Sequence, residues 1–181
     1  MILEFPSVPE TIRLLRTGRE TGGELLELED YFPAGAGHRG PPLHWHPGQE
    51  ESFEVLEGSM WVRVDREERI LGPGETITVP PRVPHTFGNA TPGALRQMTR
   101  FRPALRMEEF FRVASGLAKD GRTDARGFPG LLHVAVLARD FRHTMVLASP
   151  PQPVQLIVFG ALAPVGRLLG HARLQASYLV P

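Results

Sequence analysis

The sequence predicts a mainly β fold, a sandwich or small barrel, followed by a helical C-terminal extension. Gly and Pro cut the first hundred residues into short segments, and several of these alternate apolar and polar residues. After Pro103 the apolar period lengthens to that of a helix. Many short strands separated by turns suit a sandwich or barrel better than alternating βαβ units. The alternation is clearest in Trp61-Val62-Arg63-Val64-Asp65 and Thr76-Ile77-Thr78-Val79. Strands are expected over residues 12–15, 24–31, 53–56, 60–64, 76–79 and 95–101.

Beyond Pro103, Met107, Phe110, Phe111, Ala114 and Leu117 fall on one helical face, and Gly121 is placed to stop that helix. A second helix is expected after Pro129, through residues 131–137. The run Ser149-Pro150-Pro151-Gln152-Pro153 is a stiff break before a third apolar segment, 154–169, interrupted by Pro164 and Arg167. There is no internal repeat. The expected division is a β domain over 1–103 and a helical extension over 104–181.

Composition narrows the function classes. Of 181 residues, 41% are hydrophobic and 22% charged, which excludes a disordered tail. Twenty basic residues balance twenty acidic ones, so the excess that a nucleic-acid partner demands is missing. The basic residues are all Arg except Lys119, which reads as compositional bias and not as a patch. Without cysteine, disulfides, thiolate metal sites and a Cys nucleophile are excluded together, and any metal must be held by His, Asp or Glu. The N-terminal residues lack the basic-then-apolar pattern of a signal peptide, and the longest apolar stretch, 154–166, is shorter than the ~20 residues of a bilayer span. The expected location is the cytoplasm.

Three of the seven histidines form a pattern. His44 and His46 are one residue apart, so on a strand both imidazoles face the same way. Glu51 follows at the head of an apolar-polar run, and His85 comes from a later strand. Three nitrogens and one carboxylate converging inside a small barrel could bind a divalent transition metal and leave positions open for water or substrate. By strand parity Phe53 and Val55 share the face of Glu51, and Phe87 that of His85. These three predict an apolar substrate-binding wall around a charged centre, suited to a small organic molecule anchored by one polar group. Trp45, between the two histidines, is expected to face the opposite way.

The fixed positions run further. One stretch reads His44-Trp45-His46-Pro47-Gly48-Gln49-Glu50-Glu51, six further residues, then Gly58. A second reads Gly74, five residues, Pro80, x, Arg82, x, x, His85, three residues, Asn89. A fifteen-residue spacer, 59–73, separates them. This order resembles the two motifs of the cupin superfamily, with the short spacer of compact microbial cupins, and covers roughly residues 10–103. Two positions depart from the pattern: Arg82 stands where Gly is usual, and His38 replaces a Gly ahead of the first His pair.

The resemblance implies a cupin-like jelly-roll β-barrel in which His44, His46, Glu51 and His85 ligate one divalent transition metal: iron, manganese, nickel, zinc or copper. It selects Glu51 over Glu50 as the residue separated from Gly58 by six others, leaving Glu50 to face away. It also implies a homodimer, for which the exposed edge strands of a small sheet supply a physical motive.

Other signals are weaker. Residues 35–40 match G-x-G-x-x-G, but Pro41 and Pro42 follow where a phosphate-binding helix would have to open. Asn89-Ala90-Thr91 spells a glycosylation acceptor, yet Asn89 is better placed to fix a turn. His133, His143 and His171 are isolated and read as structural, whereas His38, in a Gly-rich loop ahead of the ligands, could reach a substrate. The apolar segment 154–169 reads as a packing surface, with membrane contact the sharper alternative. Its polar residues lack the Lys/Arg excess of a membrane-surface helix.

One metal site on one fold serves many reactions. The first reading is a dioxygenase-type oxidoreductase in which Glu51 could also shuttle a proton. The alternatives are a non-catalytic small-ligand sensor, and an isomerase or decarboxylase using the same ligands.

Overall fold

The computed structural model describes residues 1–35 and 40–179. His38, the loop histidine expected to reach a substrate, lies outside the described residues. The chain runs β1 (Ile2–Phe5), β2 (Glu10–Arg16), β3 (Leu26–Phe32), β4 (His44–Trp45), β5 (Glu50–Glu57), β6 (Met60–Val64), β7 (Glu67–Leu71), β8 (Thr76–Val79), β9 (His85–Asn89) and β10 (Leu95–Arg102). The helical extension follows as α1 (Met107–Lys119), α2 (Leu131–Asp140), the short β11 (Val146–Leu147), α3 (Gln152–Leu168) and α4 (His171–Ser177).

The strands form two antiparallel sheets, ordered β1-β2-β3-β10-β5-β8 and β11-β4-β9-β6-β7. The period of two decides which side chains go inside. On β3, Leu26, Leu28, Asp30 and Phe32 are buried, and on β10 Leu95, Gln97, Thr99 and Phe101 are. Phe53 and Val55 of one sheet meet Met60, Val62 and Phe87 of the other in a single core cluster. This is the jelly-roll sandwich expected of the sequence. The strands expected at 60–64 and 76–79 coincide with β6 and β8, and the other four differ by one to three residues at their ends. The strand over Glu67–Leu71 escaped notice because, on a sheet edge, four consecutive residues, Glu67, Glu68, Arg69 and Ile70, are exposed and no apolar alternation results.

Two special turns hold the motif segments. Gly58 has φ +82°, and a Cβ there would lie 2.1 Å from the Ala94 carbonyl oxygen, so both conformation and space require glycine. Arg82, standing in place of the usual Gly, keeps the turn by taking φ +68° itself, and its N–H donates to the His46 carbonyl at 2.8 Å. Asn89 is buried and braces the next turn, its Nδ2 donating to Gly93 O and its Oδ1 accepting from the Thr91 N–H.

The extension is tied to the barrel at three places. The Ser115 hydroxyl of α1 donates to the Glu4 carbonyl on β1 at 2.9 Å. The buried Gln49 side chain donates to the carbonyls of Pro103 and Ala104, at 2.9 and 3.0 Å. Strand β11 pairs with β4, Val146 opposite Trp45 and Leu147 opposite His44. Met107 of α1 joins Leu3, Ile12, Leu28 and Phe101 in a second barrel-end cluster, while Val136 of α2 packs on Phe159 and Ala163 of α3. The outer face of α3 leaves Ile157 and Leu168 exposed. Among the described residues no single helix is long and apolar enough to cross a membrane.

Candidate metal centre

His44 lies on β4 and His85 directly opposite it on β9. Glu51 comes from β5 of the facing sheet, where it pairs with Phe101 of β10. His46 follows β4 by one residue, on the same side as His44. All four side chains are buried. They offer donor atoms that lie within 4.8 Å of one another. Glu51 Oε2 is 3.0 Å from His46 Nε2 and 2.6 Å from His85 Nε2. Glu50, the neighbouring acid, is exposed, because one step along a strand reverses the side chain.

Each imidazole is oriented by its other nitrogen. His44 Nδ1 meets the Pro42 carbonyl at 2.9 Å, His46 Nδ1 the Thr144 carbonyl at 2.7 Å, and His85 Nδ1 the Val83 carbonyl at 2.9 Å. A carbonyl can only accept, so each Nδ1 carries the proton and donates. In the neutral ring each Nε2 then presents a lone pair to the centre, where Glu51 adds a carboxylate oxygen. Lone pairs pointed at a carboxylate repel unless a proton or a metal ion lies among them. The spacing suits an ion: cis ligands about 2.1 Å from a metal stand about 3 Å apart. Carbonyl-anchored imidazoles are also the outer support that metal-ligating histidines ordinarily have. The donor set therefore fits one divalent transition ion.

The electrostatics agree. Burial, together with the neighbouring His85 and His46, pushes His44 down to about 3, so it is neutral and available as a ligand. Burial works against ionising Glu51. The hydrogen bonds and charges of His46 and His85 outweigh it and hold the carboxyl well below the usual carboxylate range. For His85 burial disfavours the charge, but the Glu51 contact and the Val83 carbonyl raise it above its ordinary value.

Beside the four donors lies a cavity of about 710 Å3. His44, Glu51, Phe87 and Phe101 line it from the barrel, and Phe110, Phe141 and Phe159 from the extension. Of the predicted substrate contacts, Phe87 is on this wall. Phe53 and Val55 are in the core behind it, with the Phe53 ring centroid 4.8 Å from that of Phe87. Trp45 is half-buried beside Val146 and also borders the cavity. Of the isolated histidines, His143 borders the cavity, while His133 and His171 pack ring to ring at 3.9 Å between helices.

Sequence reasoning missed Thr144, Asp30, Glu10, Thr99 and every aromatic residue contributed by the extension. The Thr144 contact is a backbone carbonyl ninety-eight positions from His46, which no motif carries. For Asp30 a signal existed: it interrupts the inward face of β3, between Leu28 and Phe32.

Residues 32–99 match the family model described as cupin domain. Among solved structures the chain is similar to an RmlC-like cupin from Shewanella frigidimarina NCIMB 400, at 24% identity and a TM-score of 0.50, over 60% of this chain and 87% of that one. It is also similar to KdgF from Halomonas sp., at 19% identity and a TM-score of 0.45, over 52% of this chain and 78% of that one. These likenesses concern the fold alone. No curated protein sequence matches the chain.

Proposed function

We propose that this chain, whose residues 32–99 match the cupin-domain model, is a metal-dependent oxidoreductase of the dioxygenase type acting on a small organic molecule. The supporting observation is the buried set His44, His46, Glu51 and His85, with three fixed tautomers, opening on an apolar cavity. These four residues would hold one iron, manganese, nickel, zinc or copper ion. When bound, that ion supplies Lewis acidity and, for the redox-active metals, a route for electrons from substrate to dioxygen.

The chain's own residues have separate tasks. The carbonyls of Pro42, Thr144 and Val83 hold the three rings in place, so no reorganisation is needed as charge develops. Oε2 of Glu51 meets both His46 and His85, which leaves Oε1 to take a proton from an enol, catechol or similar acidic group of the substrate. Phe87, backed by Phe53 and Val55, and the phenyl rings of the extension exclude water. In this proposal the barrel, 1–103, carries the ligands and the extension, 104–181, closes the cavity. A cytoplasmic homodimer is part of the same reading, and light scattering tests its dimeric part.

The test begins with metal content by mass spectrometry, on protein purified without a nickel column. Oxygen uptake then follows, after anaerobic Fe(II) loading, with a panel of diketones, flavonols and catechols. About one equivalent of metal and substrate-dependent uptake are expected; metal without uptake across the panel would sink the oxygenase reading.

A second reading is favoured by one contact. Thr144 of the extension holds His46, and β11 is paired with β4, so occupancy of the centre would be felt directly by the helices. A sensor would give thermal shifts with metabolites and no turnover. Product formation under strict anaerobiosis would instead mark an isomerase or decarboxylase.

A further inference from the structure

The cavity has a second polar pole. Asp30 on β3 and Glu10 on β2 both line it, as does Thr99 on β10. They belong to the sheet face that carries Glu51, but Asp30 is two strands away from it, since β10 lies between β3 and β5. Asp30 is only 3% exposed. Its Oδ2 accepts from the Thr99 hydroxyl and, at 3.2 Å, from Gln97 Nε2. The Gln97 side chain is fully buried against Asp30, and its Oε1 has no hydrogen-bond partner among the described residues.

No basic side chain is in ion-pair contact with Asp30 or Glu10 among the described residues. Burial, and for Glu10 the repulsion of Asp30, raises both carboxyls well above their ordinary range. A buried acid, Asp30, and a half-buried one, Glu10, on adjacent strands without a counter-ion are held at a disadvantage that a ligand cation would relieve. Aromatic residues line the same cavity: Phe5 is the cross-strand partner of Glu10, and Phe101, Phe110 and Phe111 pack with it in one cluster. A cavity lined by both carboxyls and aromatic rings favours an organic ammonium over a hydrated inorganic ion. The arginines that border the same cavity do not compete for this role. Arg82, Arg126 and Arg142 are exposed, and Arg139 is half-buried on α2.

We propose that the Asp30–Glu10 pole is a binding subsite for a protonated amine, so that the ligand of this cavity is an apolar or aromatic molecule carrying an ammonium group at the end remote from the His44–His46–Glu51–His85 cluster. The inference rests on the reading of the cavity as the substrate site, and not on the identity of the ion.

The test is isothermal titration of the full chain with three probes of similar size: phenethylamine, phenethyl alcohol and hydrocinnamate. Wild type is expected to bind the amine at least about tenfold more tightly than the alcohol, and the anion most weakly. Asp30→Asn and Glu10→Gln, which keep the side-chain shape, should each erase the preference while still binding the alcohol. An amine that binds no better than the alcohol, a preference that survives in both variants, or no binding by any probe would overturn the proposal. Metal content measured on the same samples separates its failure from that of the metal reading: Asp30 and Glu10 are not in the ligand cluster, so either result can fail alone.

Discussion

Glu51 and Asp30 are both buried carboxyls on the inner face of the six-stranded sheet, and their surroundings drive them in opposite directions. Glu51 faces two imidazole nitrogens at hydrogen-bond distance and is held ionised despite its burial. Asp30 faces a hydroxyl, an amide and a second carboxyl, and burial prevails, pushing it up to about 7. Burial alone therefore does not decide the charge of a carboxyl; the donors within reach do. The same sheet thus builds one pole that is ionised and cation-ready, and another that is poised near neutrality.

The most severe way to break this contrast is Glu51→Gln, which keeps the shape and removes the charge. Metal affinity should fall by more than about a hundredfold, taking bound metal from about one equivalent towards none, while Asp30→Asn should leave metal content unchanged. Loss of metal in both variants would mean that the two poles are one site. Next in size is Phe101→Ala, since Phe101 packs between the metal ligands and α1. Its ring centroid is 5.4 Å from that of His46 and 5.9 Å from that of Phe111, and it is 1% exposed. Its loss should cost about 3–5 kcal/mol in chemical denaturation.

Asp30 itself gives a pH signature. Its folded-state value, about 7, is above the ordinary 3.8, so between these values the folded chain holds a proton that the unfolded chain has released. Its contribution to stability therefore falls as pH rises through that window, and the loss is complete above about 7. Asp30→Asn should be more stable than wild type at pH 8 by a few kcal/mol at most, and the gap should close by about pH 4. Denaturation curves at the two pH values measure it, and a constant gap would show that Asp30 does not titrate there. The smallest effect is expected at Arg82, where φ +68° is unfavourable for any residue with a Cβ. Arg82→Gly should raise stability by up to about 1 kcal/mol, the relief of strain being partly offset by the entropy of glycine in the unfolded chain. A lowered melting temperature would show that the Arg82 side chain, whose Nε approaches the Pro47 carbonyl at 3.5 Å, outweighs the strain.

The sequence by itself determined the class of fold and the shared face of His44 and His46, because both are written in local spacing, while the full set with Glu51 and His85 was implied by the resemblance to the cupin motifs. A period of two buries alternate residues, and His-x-His puts two rings on one face. The turn glycine at Gly58 is legible through that same resemblance. Only the tertiary structure decided how the extension meets the barrel: Thr144 behind His46, β11 beside β4, and the rings of Phe110, Phe141 and Phe159 across the cavity. It also decided that Asp30 and Glu10 stand together, since that depends on the register of β2 against β3, with Ile12 opposite Asp30. Contacts between residues tens of positions apart follow from how sheets and helices pack. Periodicity records which face of each element is buried, but not which partner it is buried against.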